Sequence, residues 1–332
     1  MAILTTAVTY GGKQATDGLK ANLIFNPVLA ATDFAQLGYD IREDVQGTEH
    51  MYKIIPSDKV TRKATTCGWN PYGKLGDLID DTVSVVKLKV EMEQCAMDFD
   101  GKILQALKKR GVDREDLTGT DFAAILEEIA QPIIARDLRR IISLGDTANA
   151  SADYNMIDGK WKKIMAAVGA STIAKTADLP DTGAVTPAQA NTALLGVHFG
   201  APIELQSTPA QDTIKVVTRS VYNAYLQYLS SNNALESSWS LAQNGTKTLM
   251  HFGVEVVPED EVDRYVAADF AGANPHRIYY TAKNNITVAT DLESDFTTIK
   301  FWYEEKEEMN LMRINYKLGV SLGWGQLFSV AY

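Results

Sequence analysis

The stretch MRINYKLGVSLGW, residues 312–324, limits what this chain can fold into more than any other. Its even positions are Met312, Ile314, Tyr316, Leu318, Val320, Leu322 and Trp324, all apolar; its odd positions are Arg313, Asn315, Lys317, Gly319, Ser321 and Gly323. An unbroken period of two predicts one β-strand with an apolar face and a polar or small-residue face. At about 3.3 Å per residue the run would reach roughly 43 Å, whereas ordinary strands stop at about 5 or 6 residues. A ribbon of that length does not bury itself within one compact subunit.

The rest of the chain has the means to build cores around it. With 332 residues, 45% hydrophobic and 22% charged, it is long enough for two compact units. Its formal charge of -10 repels nucleic-acid phosphate and leaves no basic stripe to track a backbone. Cys67 and Cys95 stand in no metal-ligand spacing and read as reduced thiols. The opening MAILTTAVTY lacks a basic region followed by an apolar one, and no run approaches membrane-spanning length, so a soluble protein kept in a cytoplasm is expected.

Along the chain, residues 1–45 have no sustained period and several glycines, and read as an extended arm. HMYKIIP and TVSVVKLKV are strand-like, and the turn-rich CGWNPYGKLGD between them predicts a long hairpin loop with Trp69 and Tyr72 at its tip. Residues 91–110 carry helical spacing at Met92, Cys95, Phe99, Ile103 and Leu107. A second helix opens at Thr120 as N-cap and runs to Gly145, a strut of roughly 36 Å that Pro132 should bend. Thr186-Pro187 predicts another helix start, and TIKVVT, RSVYNAYLQYLSSNN and MHFGVEVVP read as strand, helix, strand. RIYYTA, NITVAT and TTIKFWY precede the opening ribbon as strands.

Chemistry is sparse. Gly319-Val320-Ser321-Leu322-Gly323 fits the G-x-S-x-G pattern, but that motif needs a strand-to-helix elbow, and here Ser321 sits inside strict alternation with no histidine after it. The structural reading, small residues on a crowded strand face, is preferred to a serine hydrolase. His50, His198, His251 and His276 are isolated in sequence, and Glu259, Asp260, Glu261 and Asp263 lack the spacing of a calcium loop and read as a solvated face. No catalytic residue, cofactor site or metal site is expected.

Arm, loop, strut and ribbon together resemble, in order and in local sequence, the major capsid proteins of tailed double-stranded DNA phages with the Hong Kong 97 fold. DGKWKKIM, TPAQANTALLGV, IKVVTRSVYNAYLQYL, HFGVEVVP and the closing stretch from Asn274 to Val320 carry the resemblance. It implies an α+β fold divided into an N-terminal arm (1–45), an extended loop or E-loop (46–90), a spine helix with the first part of a peripheral domain (91–170), an axial domain (171–275) and C-terminal strands returning to the peripheral domain (276–332).

The function so implied is a structural shell subunit of the virion. It would form pentamers and hexamers of itself in the host bacterial cytoplasm and enclose double-stranded DNA without reading its sequence, with no membrane. Partners would be a separate scaffolding protein, since only about 45 residues precede the loop, together with a portal and a decoration protein. Assembly contacts are expected from the arm, from Trp69 and Tyr72, and from Asp137, Arg139 and Arg140 on the spine. An encapsulin-like nanocompartment shell shares the fold and stays open as the alternative.

Overall fold

A computed structural model of the chain describes residues 37–57, 61, 63, 73–95, 121–232, 239–241, 247–260, 262–270, 273–290, 300–304, 306 and 309–332. Most of the expected arm, the loop tip with Trp69 and Tyr72, and residues 96–110 of the first expected helix lie outside them.

The opening ribbon is a strand, β13 (Met309–Leu322), and its length has a structural cause. Along one edge it pairs antiparallel with β4 (Val86–Cys95) over Met309–Leu318. Its other edge is shared end to end by β12 (Lys300–Glu304), opposite Met309–Arg313, and β11 (Ile286–Thr290), opposite Leu318–Leu322. The short β1 (Asp40–Arg42) completes this sheet, parallel to β11. The even positions Met312, Ile314, Tyr316, Leu318 and Val320 are buried, as the alternation requires. β4 replaces the start of the helix expected at 91–110. Its own period of two at Leu88, Val90 and Met92 and a partner along its whole length outweigh helical spacing.

A second sheet has seven strands in the order β5 (Ala174–Ala177), β14 (Phe328–Ala331), β10 (Ile278–Ala282), β6 (Thr213–Thr218), β9 (Val254–Glu259), β8 (Lys247–His251) and β7 (Trp239–Leu241). The strands of residues 276–332 therefore divide between the two sheets. MHFGVEVVP is two strands rather than one, because the chain turns at Phe252 and Gly253, whose φ values are 53° and 77°.

The described helices are α1 (Asp121–Leu144), α2 (Lys160–Gly169), α3 (Pro187–Phe199), α4 (Ile203–Gln206), α5 (Arg219–Ser231) and α6 (Val262–Asp269). α3 begins where its sequence predicts. The Thr186 hydroxyl accepts from the Gln189 N–H, the Gln189 side chain accepts from the Thr186 N–H at 3.0 Å, and Pro187 follows.

Every residue of β6 is buried, which makes the seven-stranded sheet a middle layer. Ile214 and Val216 face a core shared with Leu138, Ile141 and Ile142 of α1, Trp161 and Ile164 of α2, and Val262 and Val266 of α6. Val217 faces the other core, with Ala190 and Leu194 of α3 and Val221, Tyr225 and Leu229 of α5. β13 and β11 reach the first core from the other sheet through Ile314, Tyr316, Ile286 and Val288, so the two sheets share one interior.

Glu259 corrects the reading of residues 259–263 as a solvated face. It is buried and its carboxylate lies 2.7 Å from the Lys160 Nζ. Asp260, by contrast, is more than half exposed and pairs with Arg219 at the surface.

Candidate assembly interface

Outside both layered sheets stands a two-stranded ribbon, β2 (Thr48–Pro56) paired antiparallel with β3 (Gly76–Ser84). Its second strand is GDLIDDTVS. The KLKV half of the expected second strand belongs instead to β4. The register puts Ile54 opposite Leu78, Tyr52 opposite Asp80 and His50 opposite Thr82, so these side chains share one face. On that face Tyr52, Ile54 and Leu78 are 65%, 65% and 64% exposed. The His50 ring stacks near Tyr52 with centroids 6.2 Å apart, and its Nδ1 lies 2.8 Å from Asp80. The other face carries Ile55 and Ile79, also exposed, and Leu75 at the distal end is bare.

Among the described residues, this ribbon is tied to the rest of its chain at its base and through Lys53. Val83 packs in a small cluster with Val45 and Ala289, against which Met51 and Val85 lean. The Val85 N–H donates to the Gly47 carbonyl at 2.9 Å, and the Val45 N–H to Thr290 at 3.1 Å. Lys53 is held by Asp81 and donates to the Gly323 carbonyl at 2.8 Å, where β13 ends. Lys163 of α2 donates to the Val320 carbonyl nearby. Lys53 is thereby engaged within its own chain, while Lys74 stays largely exposed beside Asp77. An isolated two-stranded ribbon is at best marginally stable in water, and exposed apolar side chains on both faces need a partner to cover them.

A cleft of about 280 Å³ lies along α1, lined by Val90, Met92, Ile133, Arg136, Asp137 and Arg140, among others. Ile133 is the exposed apolar residue at this place. Arg140 meets Asp137 at 2.5 Å and lies 5.0 Å from the centre of the Tyr154 ring, and the Tyr154 hydroxyl donates to Asp269. Burial and the Asp269 carboxylate push the Tyr154 hydroxyl well above its ordinary pKa, so it stays a donor. Of the expected contact residues, Asp137, Arg139 and Arg140 thus lie half-buried on α1, with Asp137 and Arg140 joined to each other, and Trp69 and Tyr72 fall outside the described residues.

Ser321 does not sit on an elbow. It lies in β13 opposite Thr287 and is buried. The glycines around it have steric reasons: a Cβ at Gly319 would fall 2.3 Å from the Ser84 carbonyl oxygen, and one at Gly323 would fall 2.2 Å from Asn285 Oδ1.

The histidines are less isolated than their spacing suggests. His198 and His251 have ring centroids 5.8 Å apart, and the buried Lys215 Nζ lies 2.6 Å from His251 Nδ1. His276 bridges the Ser220 hydroxyl at 2.7 Å and the Gly183 carbonyl, also at 2.7 Å, with its two ring nitrogens. Among the described residues no group of three His, Cys, Asp or Glu side chains is arranged to hold a metal. Among them, too, no helix is long and apolar enough to cross a membrane. The apolar ladder of β2 was the feature most easily missed in sequence. Its signal was Tyr52 and Ile54 alternating with Met51, Lys53 and Ile55, a strand with no polar face.

No protein-family model matches the sequence, and no curated protein matches it. Solved structures do match its fold. One described as the satellite phage P4 procapsid including size determination (Sid) protein aligns over 92% of this chain and 96% of its own at 11% identity, with a TM-score of 0.53. The capsid of Myoviridae phage XM1 aligns over 90% of both chains at 12% identity, with a TM-score of 0.53. The holo-SrpI encapsulin complex of Synechococcus elongatus PCC 7942 aligns over 91% of this chain and 87% of its own at 10% identity, with a TM-score of 0.50. Two layered sheets, a long helix and a projecting ribbon, aligned over nine-tenths of the chain with phage capsid subunits, show that the chain has an α+β fold shared with those capsid proteins.

Proposed function

We propose that this chain is the major capsid protein of a tailed phage, assembling with copies of itself into pentamers and hexamers of an icosahedral shell around double-stranded DNA. The observation that carries the reading is the β2–β3 ribbon. It extends from the body with Tyr52, Ile54 and Leu78 exposed on one face, and among the described residues it is fastened at its base and through Lys53. Such a ribbon gains its stability from a neighbouring subunit, and repetition of that contact with closure gives a symmetric shell. The cleft beside Ile133 and Arg136 on α1 belongs to the same set of contacts, with Asp137 and Arg140 bracing it from beneath. Trp69 and Tyr72 would extend the ribbon's contact at its tip.

The role is structural, without catalysis, and no cofactor takes part. Division into arm, extended loop, peripheral domain and axial domain follows from the same reading, as do a separate scaffolding protein, a portal and a decoration protein as partners in the virion. A charge of -10 suits a container filled by a motor rather than by affinity for DNA. The encapsulin likeness favours a second reading, a shell that packages protein, and the contents distinguish the two.

The test is electron microscopy with light scattering on the protein expressed alone and with its candidate scaffold. Closed shells or capsomer rings are expected; a monomer under every condition overturns the proposal. Shells purified from the native source that hold DNA identify a phage capsid, and shells that hold a cargo enzyme identify a nanocompartment.

A further inference from the structure

One face of the seven-stranded sheet carries a cluster that neither the fold nor the ribbon explains. Lys215 is fully buried in the middle of β6, on the face packed against α3 and α5. Its Nζ lies 2.6 Å from His251 Nδ1, donates to the His251 carbonyl at 3.3 Å and lies 5.2 Å from the centre of the Tyr280 ring. The His251 ring sits edge-on to Phe252 at 4.7 Å, and His198 lies flat against Phe252, with centroids 5.0 Å apart and planes 4° apart. Phe199 touches Phe252 at 5.2 Å. The two phenylalanines are exposed above the cluster. Phe252 holds a left-handed backbone, φ 53°, at a turn where asparagine or glycine would be unstrained. Aromatic stacking on the two histidines keeps it there.

Among the described residues, the charged and titratable groups facing this cluster are Lys215 from β6, His251 from β8, His198 from α3, Tyr225 from α5 and Tyr280 from β10. β9 contributes Val254 and Val256 to this core. Among the described residues no carboxylate is in contact with these groups. Protonation of any basic member therefore adds unneutralised positive charge to an apolar interior.

We propose that Lys215, His251 and His198 form a proton-operated latch that seats the Phe199–Phe252 apex when neutral and releases it on acidification. Burial pushes the Lys215 amine down to about 7. Burial, reinforced by Lys215, pushes His198 down to about 4, and the same causes together with His198 push His251 down to about 3. All three values are depressed in the closed state, so opening takes up protons and becomes easier as pH falls. Between Lys215's ordinary 10.5 and about 7 one proton is taken up, and the opening constant rises about tenfold per pH unit lowered. From 7 down to the histidines' ordinary 6.5 it is flat; below that the histidines add up to two more protons and the slope steepens.

Hydrogen–deuterium exchange of the full chain between pH 9 and 5, expressed as protection factors so that intrinsic rates cancel, tests this. Peptides covering 196–206 and 249–254 should lose protection about tenfold per unit from pH 9 to 7, while peptides of 309–322 stay level. Lys215→Met should abolish that slope, and His198→Phe should roughly halve the one below pH 6.5, which His251 alone then carries. A level response in the wild type, a slope that survives in Lys215→Met, or loss of protection in all peptides together would each overturn the latch. The measurement needs no shell, so it fails or succeeds independently of the capsid reading.

Discussion

Lys160 Nζ lies 2.7 Å from Glu259 Oε1 in the shared interior, and three hydroxyl groups close around the pair. The Lys160 ammonium donates to Tyr39 at 2.6 Å and to Tyr279 at 3.3 Å, and the Ser143 hydroxyl donates to Glu259. Burial works against the ammonium, but Glu259 and Tyr39 outweigh it and hold its pKa above the ordinary value. The pair joins α2 to the end of β9, with Tyr39 arriving from the chain just before β1. Lys160→Met leaves a buried carboxylate without its cation and should cost about 3–5 kcal/mol, whereas Lys160→Met with Glu259→Leu should recover most of that loss. Urea unfolding of the unassembled protein checks both. Equal losses in the single and the double variant would mean that packing, not charge, sets the cost. A lysine raised on folding stabilises fully below its ordinary value, so this contribution fades only as pH rises through the raised one, above 10.5.

Arg140 makes a different kind of contact. Its guanidinium is held between Asp137 and the Tyr154 ring, and the Tyr154 hydroxyl continues to Asp269 on α6. The chain fastens α1 to α6 across the surface of the first core. Arg140→Met should lower stability by about 1–2 kcal/mol while leaving assembly intact at low temperature. A variant with unchanged urea midpoint that no longer assembles would instead put Arg140 in direct contact with the neighbouring subunit.

The ribbon should show the opposite pattern. Tyr52, Ile54 and Leu78 contribute little to the chain's own interior, so Ile54→Glu or Leu78→Glu, each made alone because the two positions face each other, should change the unfolding free energy by no more than about 0.5 kcal/mol. In a shell each charge would be buried without a partner at every subunit contact, and assembly followed by light scattering should fail. Shells that form at the wild-type protein concentration would free this face from any role in assembly.

Local patterns were the most legible part of the chain. Period two in β13, the Thr186-Pro187 start of α3, and the strand TIKVVT each depend on neighbours in sequence, and each element forms where its residues place it. Pairing was not legible. Nothing local says that Val86–Cys95 joins β13 rather than continuing the hairpin or starting a helix, because that choice is made by a partner more than two hundred residues away. Buried charge was misread for the same reason. Glu259 heads an acidic run, and only Lys160 on another element turns it inward, while Lys215 in an otherwise apolar strand was a visible anomaly whose partners, His251 and His198, come from two other elements. The resemblance in the order of elements reached the fold because that order is itself a sequence property.

Gly319 and Ser321 separate a steric reading of the G-x-S-x-G run from a catalytic one. A methyl group at Gly319 would meet the Ser84 carbonyl at 2.3 Å and Val85 behind it; Ser84 ends β3 and Val85 joins it directly to β4, which leaves little room to yield. Gly319→Ala should therefore force β13 away from the base of the ribbon and cost about 1–3 kcal/mol, with the strongest effect on Val83 and Val45 in the small cluster there. Ser321 is buried opposite Thr287 with no histidine beside it in the strand pairing, so Ser321→Ala should leave assembly unchanged. A fluorophosphonate probe should fail to label the wild type. Labelling that disappears in Ser321→Ala would mean the hydroxyl is both reachable and activated, which β13 in this register does not provide. A Gly319→Ala protein as stable as the wild type would instead mean that the ribbon's base shifts freely against β13.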